Sequence, residues 1–276
     1  MPRFEPHPDR RPAVVTGASS GHGAAIAAAL AAAGHPVVIG ARRLDRLEDL
    51  AAKIAADGGE ALAVPLDLTD DASIRTFARR AEDELGPIEV LVSNAGDVQP
   101  ITTVADPAEF ARQLQVNLLG SQALAHELVP NMVGRRRGDV VFVTSEVAQE
   151  PRTHMAAYVA SKAGLEGYAR AMAMECEGTG VRVGVVRPGP SSTEQGSSWS
   201  EDSVNEVVAS WYRWGLLRHD GAIRPAEFAQ AVLAMVSAPK GTRWALLEVQ
   251  PEAPVGDGAA LSAPNDADDA QPEGEP

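Results

Sequence analysis

Seven short apolar runs, separated by longer stretches of helical character, constrain this chain more than any other feature. They are Ala13–Thr16, Pro36–Gly40, Ala61–Pro65, Ile88–Ser93, Asp139–Thr144, Val181–Val186 and Trp244–Val249. They are rich in Val and Ile without strict alternation, as strands buried on both faces are. Helices are expected between them, near 22–33, 45–57, 70–85, 107–133, 155–178 and 225–237. Gly34 caps the first helix and Pro36 blocks its continuation, while Thr69 before Asp70-Asp71 marks the start of the third. The alternation predicts an α/β fold: a single Rossmann-type doubly wound domain with a seven-stranded parallel sheet flanked by helices. Such a sheet binds its ligand at the carboxyl ends of the strands.

The 276 residues suit one large domain. The expected division is an N-terminal extension at 1–11, the main domain at 12–250 and an acidic disordered tail at 251–276. The net charge is −14, and seven acidic residues with no basic one lie between Glu252 and Pro276. An acidic surface argues against nucleic acid, whose phosphates need Lys and Arg. The longest apolar run, Ala24 to Ala33, is too short to span a bilayer, and Met1–Pro12 lacks an apolar signal core. Cys176 is the one cysteine, so no intrachain disulfide forms; a cytoplasmic location is expected. No Cys/His cluster has metal-ligand spacing, so no metal is expected.

Thr16-Gly17-Ala18-Ser19-Ser20-Gly21-His22-Gly23 joins the first strand to the first helix. Glycines at 17, 21 and 23 let the backbone turn and approach a pyrophosphate, which the N–H groups of the helix start then bind. At the end of the second strand, a carboxylate would bond the ribose 2′-hydroxyl of NAD. This chain has Gly40-Ala41-Arg42-Arg43 instead. Guanidinium grips a 2′-phosphate, so NADP(H) is expected over NAD(H), with Arg42 as first choice and Arg43 as second.

Thr144-Ser145 ends the fifth strand, and Tyr158 and Lys162 stand four apart near the start of a long helix. They share a helical face. An ammonium there is expected to lower the phenol's pKa, so that Tyr158 exchanges a proton with an alkoxide or alcohol. Ser145 is placed to orient the substrate oxygen, and Asn117 to hold a water that relays protons to Lys162.

In these motifs the chain resembles the short-chain dehydrogenase/reductase family. TGASSGHG is similar to its TGxxxGxG loop, Ser93-Asn94-Ala95-Gly96 to its NNAG stretch, Tyr158-xxx-Lys162 to YxxxK, and Pro188-Gly189-Pro190 with Thr193 to its PG motif. The resemblance implies a tetrad of Asn117, Ser145, Tyr158 and Lys162. It also implies that Gly17, Ser19, Ser20, Gly21, His22, Gly23, Asn94, Ala95, Gly96, Pro188, Gly189 and Thr193 border the cofactor. Asp67 and Leu68 would flank the adenine, and Lys162 would bond the nicotinamide ribose. The implied activity is hydride transfer between the nicotinamide and a carbonyl or secondary alcohol, without a metal. His22 stands where the family has isoleucine, either as a packed ring or as an added cofactor-facing donor. Glu146 stands where a small residue is common, either facing the pocket or bonding locally. Leu246-Leu247-Glu248-Val249-Gln250-Pro251 departs from the VDGG-like ending of acyl-carrier ketoreductases, which weighs against a 3-oxoacyl-carrier-protein reductase. A catalytically silent NADP(H) sensor is disfavoured because all four tetrad positions are filled.

The region 191–224 is expected to cover the substrate. It holds Trp199, Trp211, Tyr212 and Trp214, and Val204, Val207, Val208, Trp211 and Leu217 form one apolar stripe. Its aromatics either close over a bulky apolar substrate or pack the cover down. The expected substrate wall is Ser145, Val147, Gln149, Met155, Tyr158, Trp211 and Trp214. The expected partners are a small carbonyl or alcohol and further copies of the chain, as a homodimer or homotetramer with small residues Ala163, Gly164 and Gly167 at the contact.

Overall fold

The structure, a computed structural model, describes residues 6–102, 104, 106–217 and 219–254. The acidic tail from 255 onward therefore lies outside the described residues. Seven parallel strands stand in the order β3-β2-β1-β4-β5-β6-β7. They are β1 Ala13–Thr16, β2 Val37–Ala41, β3 Ala61–Pro65, β4 Val90–Ser93, β5 Gly138–Val143, β6 Val181–Pro188 and β7 Leu246–Val249. The order reverses between β1 and β4, which opens a crevice at their carboxyl ends.

Helices α1 (Gly21–Ala32), α2 (Leu44–Ala56) and α8 (Pro225–Ser237) cover one face of the sheet. The other is covered by α3 (Asp71–Leu85), α5 (Gly120–Gly134) and α6 (Ala156–Glu175). Buried Val and Ile of the inner strands feed two separate apolar clusters, as expected of a sheet packed on both sides, whereas β3 and β7, at the two edges, are partly exposed rather than buried on both faces. Gly34, at φ +87°, follows α1, where the N–H groups of Gly34 and His35 bond the carbonyls of Ala31 and Leu30. The cap of α3 is Asp70, whose carboxylate accepts from the Ala72 N–H at 2.8 Å. Thr69, the expected cap, instead donates to Asp67.

The stretch read from sequence as one helix over 107–133 is not regular. It runs as α4 (Pro107–Leu114), a π-helical turn at Gln115–Leu119, and α5. The π turn holds Asn117; such turns recur at functional sites because they re-aim side chains. In the cover, α7 spans Glu201–Arg213, capped by Ser200, whose hydroxyl accepts from the Ser203 N–H.

The amino ends of the strands carry a buried charge cluster. Asp139 on β5 pairs with Arg11, ahead of β1, and accepts from Arg182 Nε on β6 at 2.5 Å. Arg137 reaches Glu89 at 2.6 Å. Arg11 is 2 % exposed, so this part of the N-terminal extension is built into the domain.

Candidate active site at the carboxyl ends of the strands

A cleft of about 730 Å³ opens at the carboxyl ends of β1, β2, β4, β5 and β6. One end is made of backbone. Gly17 has φ +69°, and a Cβ there would lie 2.7 Å from Ala95 Cα. A Cβ on Gly23 would lie 2.3 Å from the Gly17 carbonyl oxygen and 2.6 Å from Asn94 Nδ2. Asn94 Nδ2 donates to the Thr16 carbonyl, and the Thr16 hydroxyl accepts from the N–H groups of Asn94 and Ala95, all at 3.0 Å. The two loops are thus locked side by side, and the first N–H groups of α1 face the opening. This cradle, which a side chain would fill, fits a dinucleotide pyrophosphate.

Gly17, Ser19, Ser20, Gly21, His22, Gly23, Arg42, Arg43, Asp67, Leu68, Asn94, Ala95, Gly96, Pro188, Gly189 and Thr193 all line the cleft. Hydrogen bonds from the Thr69 N–H and hydroxyl hold the Asp67 carboxyl below the usual range. Both arginines face the cleft, in different company. Arg43, not Arg42, meets the glycine loop: Nε and Nη2 donate to Ser19 Oγ at 3.1 and 2.9 Å, and Nη2 to Ser20 Oγ at 2.9 Å. Arg42 lies beside Asp67 and helps to lower its pKa. His22 stacks on Phe228 with ring centres 4.2 Å apart, and burial pushes its pKa down to about 4. The ring is therefore neutral and packed.

The other end of the cleft holds titratable side chains. Ser145 begins a 3-10 turn at Glu146–Ala148, which turns its hydroxyl toward the start of α6. Tyr158 lies on the first turn of α6, 7 % exposed, with Lys162 one turn on and 2 % exposed. Burial raises the phenol's pKa; hydrogen bonds from Gln195 and Ser145 oppose the rise, and the Glu146 carboxylate adds to it. The expected lowering by Lys162 is thus corrected. Lys162 Nζ stands 5.7 Å from the Tyr158 ring centre and donates to the Val143 carbonyl at 3.0 Å, so burial of the phenol dominates. Burial also pushes the lysine's own pKa down to about 8.

Three further expectations need correction. Asn117 does not line the cleft. Its side chain is engaged by protein, accepting from the Asp97 N–H at 2.7 Å and donating to the Asp97 carbonyl at 2.8 Å and Ser161 Oγ at 3.0 Å. It therefore clamps the loop after β4 to α6. Gln149 points away from the cleft, and its carboxamide donates to Glu166, which also takes the Thr144 hydroxyl and Arg187. Trp214, past the end of α7, is 66 % exposed and outside the lining.

Val147, Met155 and Trp211 do form wall, together with Val98, Trp199 and Leu217. The cover is pinned by its indoles: Trp199 Nε1 donates to the Val98 carbonyl at 3.1 Å and Trp211 Nε1 to that of Thr153 at 3.0 Å. Glu146 and Arg152 face the cleft as an ion pair, with the guanidinium 4.9 Å above the Trp211 ring. Arg152, Glu194 and Gln195 were missed because nothing in their local sequence marks them. Trp199 had a signal in the cover's tryptophan content.

Residues 11–204 match the family described as short chain dehydrogenase. The 2,3-dihydro-2,3-dihydroxybenzoate dehydrogenase of Bacillus subtilis (strain 168) is 33% identical over 236 residues, 83% of this chain and 90% of that protein. The glycine betaine reductase ATRR of Emericella nidulans is 40% identical over 184 residues, 66% of this chain but 14% of that much longer protein. An alcohol dehydrogenase from the archaeon Thermococcus sibiricus, solved with 5-hydroxy-NADP, superposes with a TM-score of 0.77 at 27% identity, covering 90% of this chain and 100% of that one.

Proposed function

The chain belongs to the short-chain dehydrogenase family, and on that premise we propose that it is an NADP(H)-dependent reductase or dehydrogenase of a bulky, largely apolar carbonyl or secondary alcohol. Family members act on CH–OH groups with a nicotinamide cofactor, which when bound supplies or accepts the hydride. The observation that carries the reading is the Ser145–Tyr158–Lys162 group at the cleft floor, with the Ser145 hydroxyl bonded to a buried phenol.

In this reading Tyr158 gives its proton to the nascent alkoxide, or takes one from the alcohol. Its raised pKa keeps it protonated near neutrality, the state a carbonyl reductase needs. Ser145 donates a hydrogen bond to the substrate oxygen. Lys162 supplies a cation beside the phenol and bonds the ribose. Asn117 acts by holding the Asn94–Asp97 loop against α6. The glycine cradle binds the pyrophosphate, Asp67 and Leu68 flank the adenine, and Arg43 with Arg42 takes the 2′-phosphate. Val98, Val147, Met155, Trp199 and Trp211 give the substrate an apolar wall beneath the cover at 191–224. Homo-oligomerisation through the 107–133 stretch and α6 is supported by exposed Leu119 in the π turn and Met174 on α6. Gly167 has open space beside it, whereas Gly164 packs on Leu118 of its own chain.

Tyr158→Phe tests the proposal. Turnover with a carbonyl panel and NADPH should fall by about 10²–10⁴-fold, while NADPH binding persists. Near-normal turnover would refute it.

A further inference from the structure

We propose that Glu194 is a specificity-determining residue: its carboxylate sits on Arg43, which faces the 2′-phosphate subsite, and competes with that phosphate, so the cover sets the preference between the two nicotinamide dinucleotides. The inference rests on the reading of Arg43 as a 2′-phosphate ligand. Glu194 lies in the cover, two residues before the positive-φ Gly196, yet it reaches across the cleft to α2. Its Oε2 takes Arg43 Nη1 at 3.1 Å, and Arg46 Nη1 bonds both its oxygens at 2.7 Å. Arg43 is at the same time fixed to Ser19 and Ser20 of the glycine loop, so the carboxylate stands beside the nucleotide cradle. Thr193, its neighbour, lies on the loop itself: a Cβ on Gly21 would be 3.3 Å from Thr193 Cβ.

A phosphate dianion and a carboxylate seek the same guanidinium edges. The Glu194 side chain is 48% exposed and those of Arg43 and Arg46 are 44% and 43% exposed, so these are exchangeable ion pairs of small individual worth. A 2′-phosphate presents more charge and more acceptor oxygens, and it displaces the carboxylate at the cost of those pairs. A ribose 2′-hydroxyl has no such claim on the arginines, so NAD(H) binds without moving Glu194. The exchange also reaches the reaction centre, because Gln195, next in the chain, hydrogen-bonds the Tyr158 phenol.

The test is calorimetric titration of the purified protein with NADP⁺ and with NAD⁺, for wild type, Glu194→Gln and Arg43→Ala. Glu194→Gln should tighten NADP⁺ by about three- to ten-fold, the worth of two exposed pairs, and leave NAD⁺ unchanged. With adenosine 2′-monophosphate the same selective gain is expected, and with adenosine 5′-monophosphate none. An equal change for both dinucleotides, no change, or weaker NADP⁺ binding would overturn the proposal. If Arg43→Ala weakens NADP⁺ selectively while Glu194→Gln is silent, Glu194 alone loses its role. If Arg43→Ala leaves the NADP⁺/NAD⁺ ratio untouched, the 2′-phosphate reading fails with it.

Discussion

At the amino ends of the strands, buried charges come in opposed pairs; at the carboxyl ends, the buried ammonium of Lys162 faces a neutral carbonyl. Asp139 takes two arginines and Glu89 a third. Lys162 donates to Val143 and is pushed down to about 8 by burial. The carboxyl ends hold ion pairs of their own, Glu146 with Arg152 and Glu166 with Arg187, but Lys162 stands apart from them, its charge met by a backbone carbonyl. Paired buried charges are costly to break and do no chemistry. An uncompensated one costs stability and is available to a substrate.

The largest effect that tests this contrast is expected at the amino ends. Asp139→Ala leaves Arg11 and Arg182 buried without their carboxylate and should cost about 3–5 kcal/mol of unfolding free energy in urea. Turnover of the protein that remains folded should be near normal. A cost below about 1 kcal/mol would remove the distinction between the two edges.

Lys162→Met should do the reverse. Turnover is lost, while stability at pH 7 holds or rises by up to about 3 kcal/mol, the linkage value of a shift from 10.5 to about 8. The sign follows from the lowered pKa. Between about 8 and 10.5 the unfolded chain keeps a proton that the folded chain has released, so wild-type stability rises with pH across that window. The variant should lack this rise, as denaturation at pH 7 and pH 10 would show. A loss of several kcal/mol at pH 7 would mean that Lys162 is a structural partner after all.

His22 gives a smaller effect at the same edge. Its pKa is about 4 in the fold against an ordinary 6.5, so the unfolded chain binds the extra proton between those values and stability falls as the pH drops. His22→Leu should flatten that decline by on the order of 2 kcal/mol at pH 4. Unchanged acid sensitivity in thermal melts would place its origin elsewhere. The smallest change is expected from Trp214→Ala, within about 0.5 kcal/mol for an exposed side chain and with no shift in substrate preference. Trp211→Ala, in the cleft wall, should alter the ratio of bulky to small ketones; if both variants behave alike, the wall is misassigned.

These contrasts also explain what could be read in the sequence. The inner strands and the glycine loop were legible because backbone geometry dictates residue type: no side chain fits at Gly17 or Gly23, and strands buried on both faces must be Val- and Ile-rich, whereas the edge strands β3 and β7 are partly exposed. Tyr158 and Lys162 were legible because four-residue spacing carries both across one turn. The pKa of Tyr158 was not, since burial outweighs the neighbour that the spacing reveals. Glu194 and Gln195 make contacts with segments far away in sequence, and Arg152 pairs with Glu146 only six residues back, at a spacing no local pattern announces. The turn that breaks the helix at 115–119 was equally hidden, because no glycine or proline lies within it.

That wide turn amounts to one surplus amino acid in an otherwise ordinary helix. Each residue of an α-helix advances the chain by about 100°. Losing a single codon there would tidy the local hydrogen bonding while swinging one flank of the helix through roughly a quarter of a revolution. The amide of Asn117 would then leave Asp97 and Ser161, and the loop after β4 would lose its clamp. Engineers shortening this segment for rigidity should expect a better helix and a worse enzyme, whereas substitutions that keep the residue count leave the phasing intact.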